Sequence, residues 1–395
     1  MKVLLCPLSD PGFLYPAVSV GLELRRRGAA VHVLGRASAA PLLAGTELPF
    51  LAAEACGGAH GFDAARWFRQ AQGQYEAVRH AARDTGADVL VTSVLCHGAL
   101  LAAEVLDLPV VVVGLATHLW LYRADGVSAS RGLGPESLRH WRTREILRRY
   151  EEGRERVGMR FRPAGNPGGR DFPLSGTALL LRGHPLMEEP GAELPERVHH
   201  VGPCMWEPAA PEAELDAVRE RLDRVGKPVV YVHLGRVFQA AGPWPRLNAV
   251  FSDSPFQAVV EVGRSADPLP APSADLTVVR KPWMGPLIDM AGFVLSSGTS
   301  APVLNALLRG RALGLSPNGS EQTQLTEACV RAGVAVEVPN VCDPDPVEVM
   351  RRAWQDDGLR ARAGGLGRRL QAADGEAKAA DIVEGVVTGR FAGAL

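Results

Sequence analysis

Three things are missing from this sequence: long apolar runs, charge of one sign, and cysteines at metal-ligand spacing. Each absence removes a class of function. The longest apolar stretch, residues 105–115, is interrupted by Asp107 and Pro109, well short of the roughly 20 residues a membrane-spanning helix needs. The opening run Met1-Lys2-Val3-Leu4-Leu5 is too short for the apolar region of a secretory signal and reads as a first strand. Net charge is −1 over 395 residues, so no general electrostatic grip on nucleic acid or on an anionic membrane is expected. The basic runs Arg25-Arg26-Arg27 and Arg148-Arg149 read as solvated helix faces. The six cysteines are scattered, which points to reduced thiols in a cytoplasmic protein without a metal cofactor. His199-His200 has no cysteine or carboxylate at ligand spacing either. There is no short repeat and no long low-complexity tract.

What is present is an α/β alternation, carried twice. The length exceeds one ordinary core, and a hydrophobic content of 46% supplies apolar surface for two. In the first half, strands are expected at 2–6, 30–34, 88–94, 109–114, 179–181 and 198–201, with helices at 15–27, 65–83 and 98–106. Residues 117–173 follow a looser pattern rich in arginine. In the second half, strands are expected at 229–234, 257–262, 276–279, 293–295, 312–315 and 334–338. Helices there are expected at 214–224, 346–355, 357–370 and 377–387. Apolar strands separated by helices indicate parallel sheets covered on both faces. The stretch Gly202-Pro203-Cys204-Met205-Trp206-Glu207-Pro208 reads as a linker. The expected division is an N-terminal Rossmann-like domain over 1–203, a second over 204–375, and a C-terminal helix over 376–395 returning to the first. Such halves face one another across a cleft, and ligands bind at the carboxyl ends of parallel strands.

The densest chemical signal lies in the second half. An apolar strand runs into Ser297-Gly298-Thr299-Ser300, which opens a helix expected at 303–308. A second strand ends in the polar loop Pro317-Asn318-Gly319-Ser320-Glu321-Gln322, followed by a helix expected at 323–332. Backbone N–H groups at a strand-to-helix turn can face a phosphate, and the helix dipole adds to the attraction. A carboxylate–amide pair suits two neighbouring sugar hydroxyls. Together these features suggest a nucleotide-sugar site.

On these residues the chain resembles glycosyltransferases of the B-type double-Rossmann (GT-B) fold, specifically the family-one enzymes that decorate antibiotics and other small molecules. The resemblance covers nearly the whole chain. It is carried also by Pro11-Gly12-Phe13-Leu14-Tyr15-Pro16, Leu24-Arg25-Arg26-Arg27-Gly28, Val201-Gly202-Pro203, Val232-His233-Leu234-Gly235 and Pro282-Trp283-Met284. It implies inverting transfer of a sugar from a TDP- or UDP-linked donor to a small-molecule acceptor, without a metal or other cofactor. Family members use a histidine base after the first strand and an aspartate that fixes its tautomer. Here those places are taken by Phe13 and Ser93, neither of which can act as the base.

The implied donor residues are Gly235, Arg236, Trp283, Ser297, Gly298, Thr299, Ser300, Glu321 and Gln322. Ser297 replaces the family's phosphate-binding histidine, and Pro302 removes one N–H from the helix start. Arg236 stands where a serine or threonine is usual, and is either a bidentate diphosphate ligand or a solvated strand-end arginine. Trp283 matches the tryptophan on which the donor base stacks, and the Glu321-Gln322 pair matches the family's sugar-binding residues. His97 and His118 are the candidate replacement bases, although the commoner fate of such a residue is a satisfied histidine at the cleft edge. His233 reads as core. Phe13, Trp67 and Trp120 are candidates for an acceptor pocket, alongside Phe68 and Tyr122, and all read equally as core aromatics.

Two readings of function follow. In one the chain is an active transferase whose acceptor or base is unusual. In the other it is an inactive homologue that binds or activates a true transferase, so a homodimer and a complex with another transferase both stay open. An epimerase on the same fold is a third.

Overall fold

The computed structural model describes residues 1–53, 71–122, 135–159, 172–233, 243–252, 254–262, 274–317, 319, 321–338 and 346–389. They divide into two compact units. The first takes the chain to Trp206 and regains it at Ala373, and the second holds Glu207–Ala372.

The first unit contains strands β1 (Lys2–Leu5), β2 (Ala30–Gly35), β3 (Phe50–Ala52), β4 (Val89–Ser93), β5 (Val110–Val113), β6 (Ala178–Leu181) and β7 (Val198–His200). Its helices are α1 (Pro11–Arg26), α2 (Ala71–Thr85), α3 (His97–Leu106) and α4 (Pro135–Arg156). All strand pairs are parallel, in the order β3-β2-β1-β4-β5-β6-β7. The strands alternate strictly between two apolar layers. Leu4, Leu90, Val112 and Leu179 pack with α2, α3 and α4, while Val3, Leu5, Val91, Val111 and Leu180 pack with α1. Period-two alternation with both faces apolar is what a doubly covered parallel sheet requires.

The second unit contains β8 (Val229–His233), β9 (Gln257–Glu261), β10 (Leu276–Val279), β11 (Phe293–Ser296), β12 (Ala312–Leu315) and β13 (Ala335–Glu337). Its helices are α5 (Glu212–Val225), α6 (Pro243–Phe251), α7 (Met284–Asp289), α8 (Ser300–Leu308), α9 (Gln322–Arg331), α10 (Pro346–Gln355) and α11 (Asp357–Gln371). The sheet is again all parallel, ordered β10-β9-β8-β11-β12-β13. The two sheets share one wiring. Each grows outward in one direction, returns to its first strand and grows in the other. The direction therefore switches between β1 and β4 in the first unit and between β8 and β11 in the second, the positions beside which open α/β sheets bind ligands.

After α11 the chain rejoins the first unit as α12 (Gly375–Val387). Ala379, Ala380 and Val383 complete the apolar layer under α1. Arg27 of α1 reaches Asp381 at 2.6 Å, Glu384 at 3.1 Å and the Ala377 carbonyl at 3.0 Å. Glu376 accepts from the Ser19 hydroxyl at 2.7 Å and the Met205 N–H at 2.9 Å. A Cβ on Gly375 would lie 2.2 Å from the Pro203 carbonyl oxygen, so the helix start lies directly on the linker.

Several expected boundaries move. α1 begins at Pro11, because proline at the first helical position gives up an N–H that has no helical partner. For the same reason α8 begins at Ser300 and carries Pro302 in its first turn. α2 is described from Ala71, and the expected helical residues 65–70 lie outside the described residues. β3 was not expected from the sequence. It is a three-residue edge strand, too short to show a period.

Candidate functional site

At the carboxyl end of β11 the chain turns sharply. Ser296 Oγ accepts from the Gly298 N–H at 3.2 Å, and Gly298 adopts φ +83°. A Cβ there would lie 2.6 Å from Thr326 Oγ1 and 3.2 Å from the Gln322 carbonyl oxygen. Only glycine combines that left-handed backbone with so close an approach. The turn is thereby held against the first residues of α9, and two loops about twenty residues apart in sequence become one site. α8 starts immediately after it, with Thr299 as an extended N-cap whose side chain makes no capping bond. A helix N-terminus concentrates partial positive charge and outward-facing N–H groups, although Pro302 contributes none.

The side chains around this turn are unusually unsatisfied. Ser297 is 1% exposed and its hydroxyl has no partner among the described residues. The Thr326 hydroxyl and His233 Nδ1 are buried in the same condition. A buried polar atom without a partner is costly, so such a group calls for an account. Gln322 opens α9 and is buried, with Glu321 half-buried at the N-cap. Trp283 caps α7 and is 5% exposed, and the Lys281 ammonium sits 5.5 Å from its ring centre. Gly235 and Arg236 lie outside the described residues.

His233, read as core, lies at a strand end beside this turn. It ends β8 in register with Ser296 on one side and Glu261 on the other, its ring buried while the residue as a whole keeps some exposure. Burial pushes its imidazole down to about 4, so the ring is neutral at pH 7. On the same strand Tyr231 donates its hydroxyl to Glu261, whose carboxyl is pushed up to about 7 by burial.

The switch point of the first unit is different in character. Ser93 Oγ accepts from the Leu8 N–H at 3.1 Å, tying β4 to the loop after β1. Asp10 pairs with Arg36 at 3.3 Å, and Phe13 packs against the apolar layer shared with α2 and α3. His97 opens α3 and is fully buried, its ring edge-on to Tyr150 at 5.7 Å. Trp120 is buried against Phe172, and its Nε1 has no partner among the described residues. Trp67 and Phe68 lie outside the described residues.

A charged cluster lies one strand further along. The His118 N–H donates to Glu188 Oε1 at 2.6 Å, and its carbonyl accepts from Arg139 Nε at 3.3 Å. Arg139 also stands 3.6 Å from Glu188 and 3.9 Å from Glu189, with its guanidinium 4.3 Å above the Tyr122 ring. The His118 ring is 0% exposed, and neither of its nitrogens has a partner among the described residues. Burial, reinforced by Arg139 and His200, pushes it down to about 3, and burial pushes Glu188 up to about 7. Sequence reading found His118 but missed Arg139 and Glu188. The visible trace was a Glu188-Glu189 pair between Met187 and Pro190 just beyond an apolar strand. Among the described residues no group of three or more His, Cys, Asp or Glu could hold a metal ion, and no helix is long and apolar enough to cross a membrane.

No protein-family model matches the sequence, and no protein of curated function matches it by sequence. Solved structures do match in shape. The glycotransferase of kitacinnamycin superposes with a TM-score of 0.74 at 18% identity, over 98% of this chain and 99% of the other. The spinosyn forosaminyltransferase SpnP gives 0.71 at 15% identity, over 98% and 99%. The glycosyltransferase VinC, solved in complex with DTDP, gives 0.68 at 16% identity, over 98% and 100%. The chain has the GT-B fold. In that fold's terms, the described residues place Ser297, Gly298 and Gln322 together at the second unit's switch point and Phe13 and Ser93 at the first unit's.

Proposed function

We propose that this GT-B chain transfers a sugar, with inversion, from a TDP- or UDP-linked donor to a small-molecule acceptor whose reacting atom is already acidic or nucleophilic. A phenol, an enol, an amide nitrogen or an aromatic carbon meets that requirement. The reading is carried by the buried, unpartnered Ser297 hydroxyl at the start of α8, held by Gly298 against Gln322. A diphosphate there would satisfy the hydroxyl and meet the helix N-terminus. Gln322 and Glu321 are assigned to the sugar hydroxyls and Trp283 to the base. By resemblance, Gly235 and Arg236 are assigned to the phosphates, and Phe13, Trp67 and Trp120 to the acceptor. That VinC was solved with DTDP supports a thymidine diphosphate as the first ligand to test.

In the reaction the acceptor atom attacks the anomeric carbon and the bond from that carbon to the diphosphate oxygen breaks. The diphosphate keeps the electron pair and the acceptor loses its proton. Charge grows on the leaving oxygen, where N–H groups and hydroxyls stabilise it most. The acceptor class follows from the histidines. His97 and His118 are both pushed down to about 3 by burial, a poor match to an alkyl hydroxyl, since an effective base has a pKa near the working pH. An acidic acceptor needs less help.

Calorimetric titration with TDP and UDP comes first, followed by rates on acceptors of graded acidity for the wild type, His97→Gln and His118→Gln. Binding, with phenol rates unchanged within about threefold in both variants, supports this reading. A loss of about a hundredfold or more in one variant assigns that histidine as the base instead.

One observation favours a second reading, an inactive homologue that partners a true transferase. At the first unit's switch point, the Ser93 hydroxyl is committed to the Leu8 N–H and Phe13 is apolar. Turnover by the purified chain rules it out. Failure to turn over any donor, together with a specific complex with an intact transferase, supports it.

A further inference from the structure

The turn after β11 carries Ser297 and therefore no imidazole, yet the adjacent strand ends in one at the same level of the sheet. His233 and Ser296 are register partners across the β8–β11 pair, and neighbouring strands in a sheet lie about 4.8 Å apart. The ring thus stands beside the start of the Ser297 turn, at the point where the sheet's direction switches. Its Nδ1 is buried without a partner, as is the Ser297 hydroxyl, while the residue as a whole keeps some exposure. Two neighbouring strand ends therefore each present a polar group with nothing to bond among the described residues, next to the N-terminus of α8. A single anionic ligand would satisfy all three.

We propose that His233 is a diphosphate ligand, donating a ring N–H to a phosphate oxygen of the nucleotide bound at Ser297 and the start of α8. The inference rests on the donor-site reading given above and adds one residue to it. A neutral imidazole carries one N–H and can serve as donor without being protonated. Close to a diphosphate it also takes on cationic character, because a nearby negative charge favours the charged form. The neighbouring groups set the polarity of the pocket. From β9, Glu261 is occupied by the Tyr231 hydroxyl. From β11 and the α8 turn come only the uncharged Ser296, Ser297, Thr299 and Ser300, and from α9 the carboxylate of Glu321 and the amide of Gln322.

The test measures affinity for TDP, for UDP and for the bare nucleosides in the wild type, His233→Ala and His233→Gln. A hydrogen bond to a charged group is worth roughly ten- to hundredfold in affinity. His233→Ala is therefore expected to lose about that much for the diphosphates. His233→Gln, which keeps an N–H donor, is expected to recover part of it, and nucleoside affinity is expected to stay within about threefold throughout. A residue that only shapes the strand end would move nucleosides and diphosphates together. Wild-type diphosphate binding with an unaltered diphosphate-to-nucleoside ratio in both variants overturns this inference and leaves the donor site standing. Absence of diphosphate binding by the wild type overturns the donor site and this inference with it. Should the alanine variant fail to fold, the glutamine variant alone decides, because the ratio is internal to each protein.

Discussion

The two switch points are built from similar residues to opposite ends. Each has a serine at or just past the end of the fourth strand of its sheet, Ser93 closing β4 and Ser297 following β11. In the first unit the Ser93 hydroxyl closes a hydrogen bond to Leu8, Asp10 is paired with Arg36, and the remaining side chain, Phe13, is apolar. In the second, Ser297, Thr326 and His233 all carry buried polar atoms with no partner among the described residues. The serine of one switch point has its hydrogen bond made within the fold, whereas that of the other is left for something bound. Neighbouring places in a repeated fold thus separate into a stabilising role and a binding role according to whether their hydrogen bonds are already made.

Four experiments break or sharpen this contrast. The largest effect is expected from Arg139→Met, which removes the guanidinium beside the buried Glu188 and Glu189. The first unit should lose about 3–5 kcal/mol, read by chemical denaturation, while TDP binding by the second unit survives. Next comes Gly298→Val, where φ +83° and the 2.6 Å approach to Thr326 leave no room for a side chain. Nucleotide affinity should fall by more than about a hundredfold, with the first unit's unfolding unchanged. The most direct comparison is serine to alanine at each switch point. Ser93→Ala should cost about 1 kcal/mol by orphaning the Leu8 N–H and leave nucleotide affinity alone. Ser297→Ala should leave stability intact or slightly raised and weaken TDP about fivefold or more. Equal behaviour of the two variants would erase the distinction.

The smallest effect is in acid. His97 and His118 are pushed down to about 3 and His200 to about 4, all in the first unit, and His233 to about 4 in the second. Unfolded histidine titrates near 6.5, so the unfolded chain binds more protons and stability falls as pH drops below 6.5. Glu188 and Glu261, pushed up to about 7, act in the opposite sense. Each folded unit binds a proton that its unfolded form does not between about pH 7 and 4.5, which adds stability as pH falls. Burial also lowers His199 and raises Glu151 in the first unit, and raises Glu207 in the second. Four histidines against two glutamates in the first unit, and one against two in the second, predict that the first unit gives way at the higher pH. Calorimetric scans between pH 7 and 4.5 check the order, and Glu188→Gln should steepen the first unit's loss.

Most of the strand set was legible because runs such as Val110–Val113 and Val89–Ser93 are uninterrupted and apolar. The Ser297 and Gln322 loops were legible because each is local, a small-residue turn or a polar cap between periodic segments. What brings them together, Gly298 against Thr326, is a contact across two elements and leaves no mark of its own. Arg139, Glu188 and His118 come from three distant segments, and in sequence Arg139 is one arginine among many. His233 follows four apolar or aromatic neighbours in β8, and its register with Ser296 is a relation between two strands that hydropathy does not reveal.

The return of α12 has a consequence for synthesis. The described residues of the second unit all come from Glu207–Ala372 and can fold as soon as that stretch has emerged. The first unit has its last strand at Val198–His200 but obtains Ala379, Ala380 and Val383 only with Gly375–Val387. At about 5–20 residues per second, its apolar layer beneath α1 stays incomplete for roughly ten to thirty seconds while the unit behind it is made. The N-terminal half of the polypeptide is therefore the last to finish folding. A chain cut short within the second unit would have its N-terminal sheet fully made but the apolar layer on the α1 side without Ala379, Ala380 and Val383.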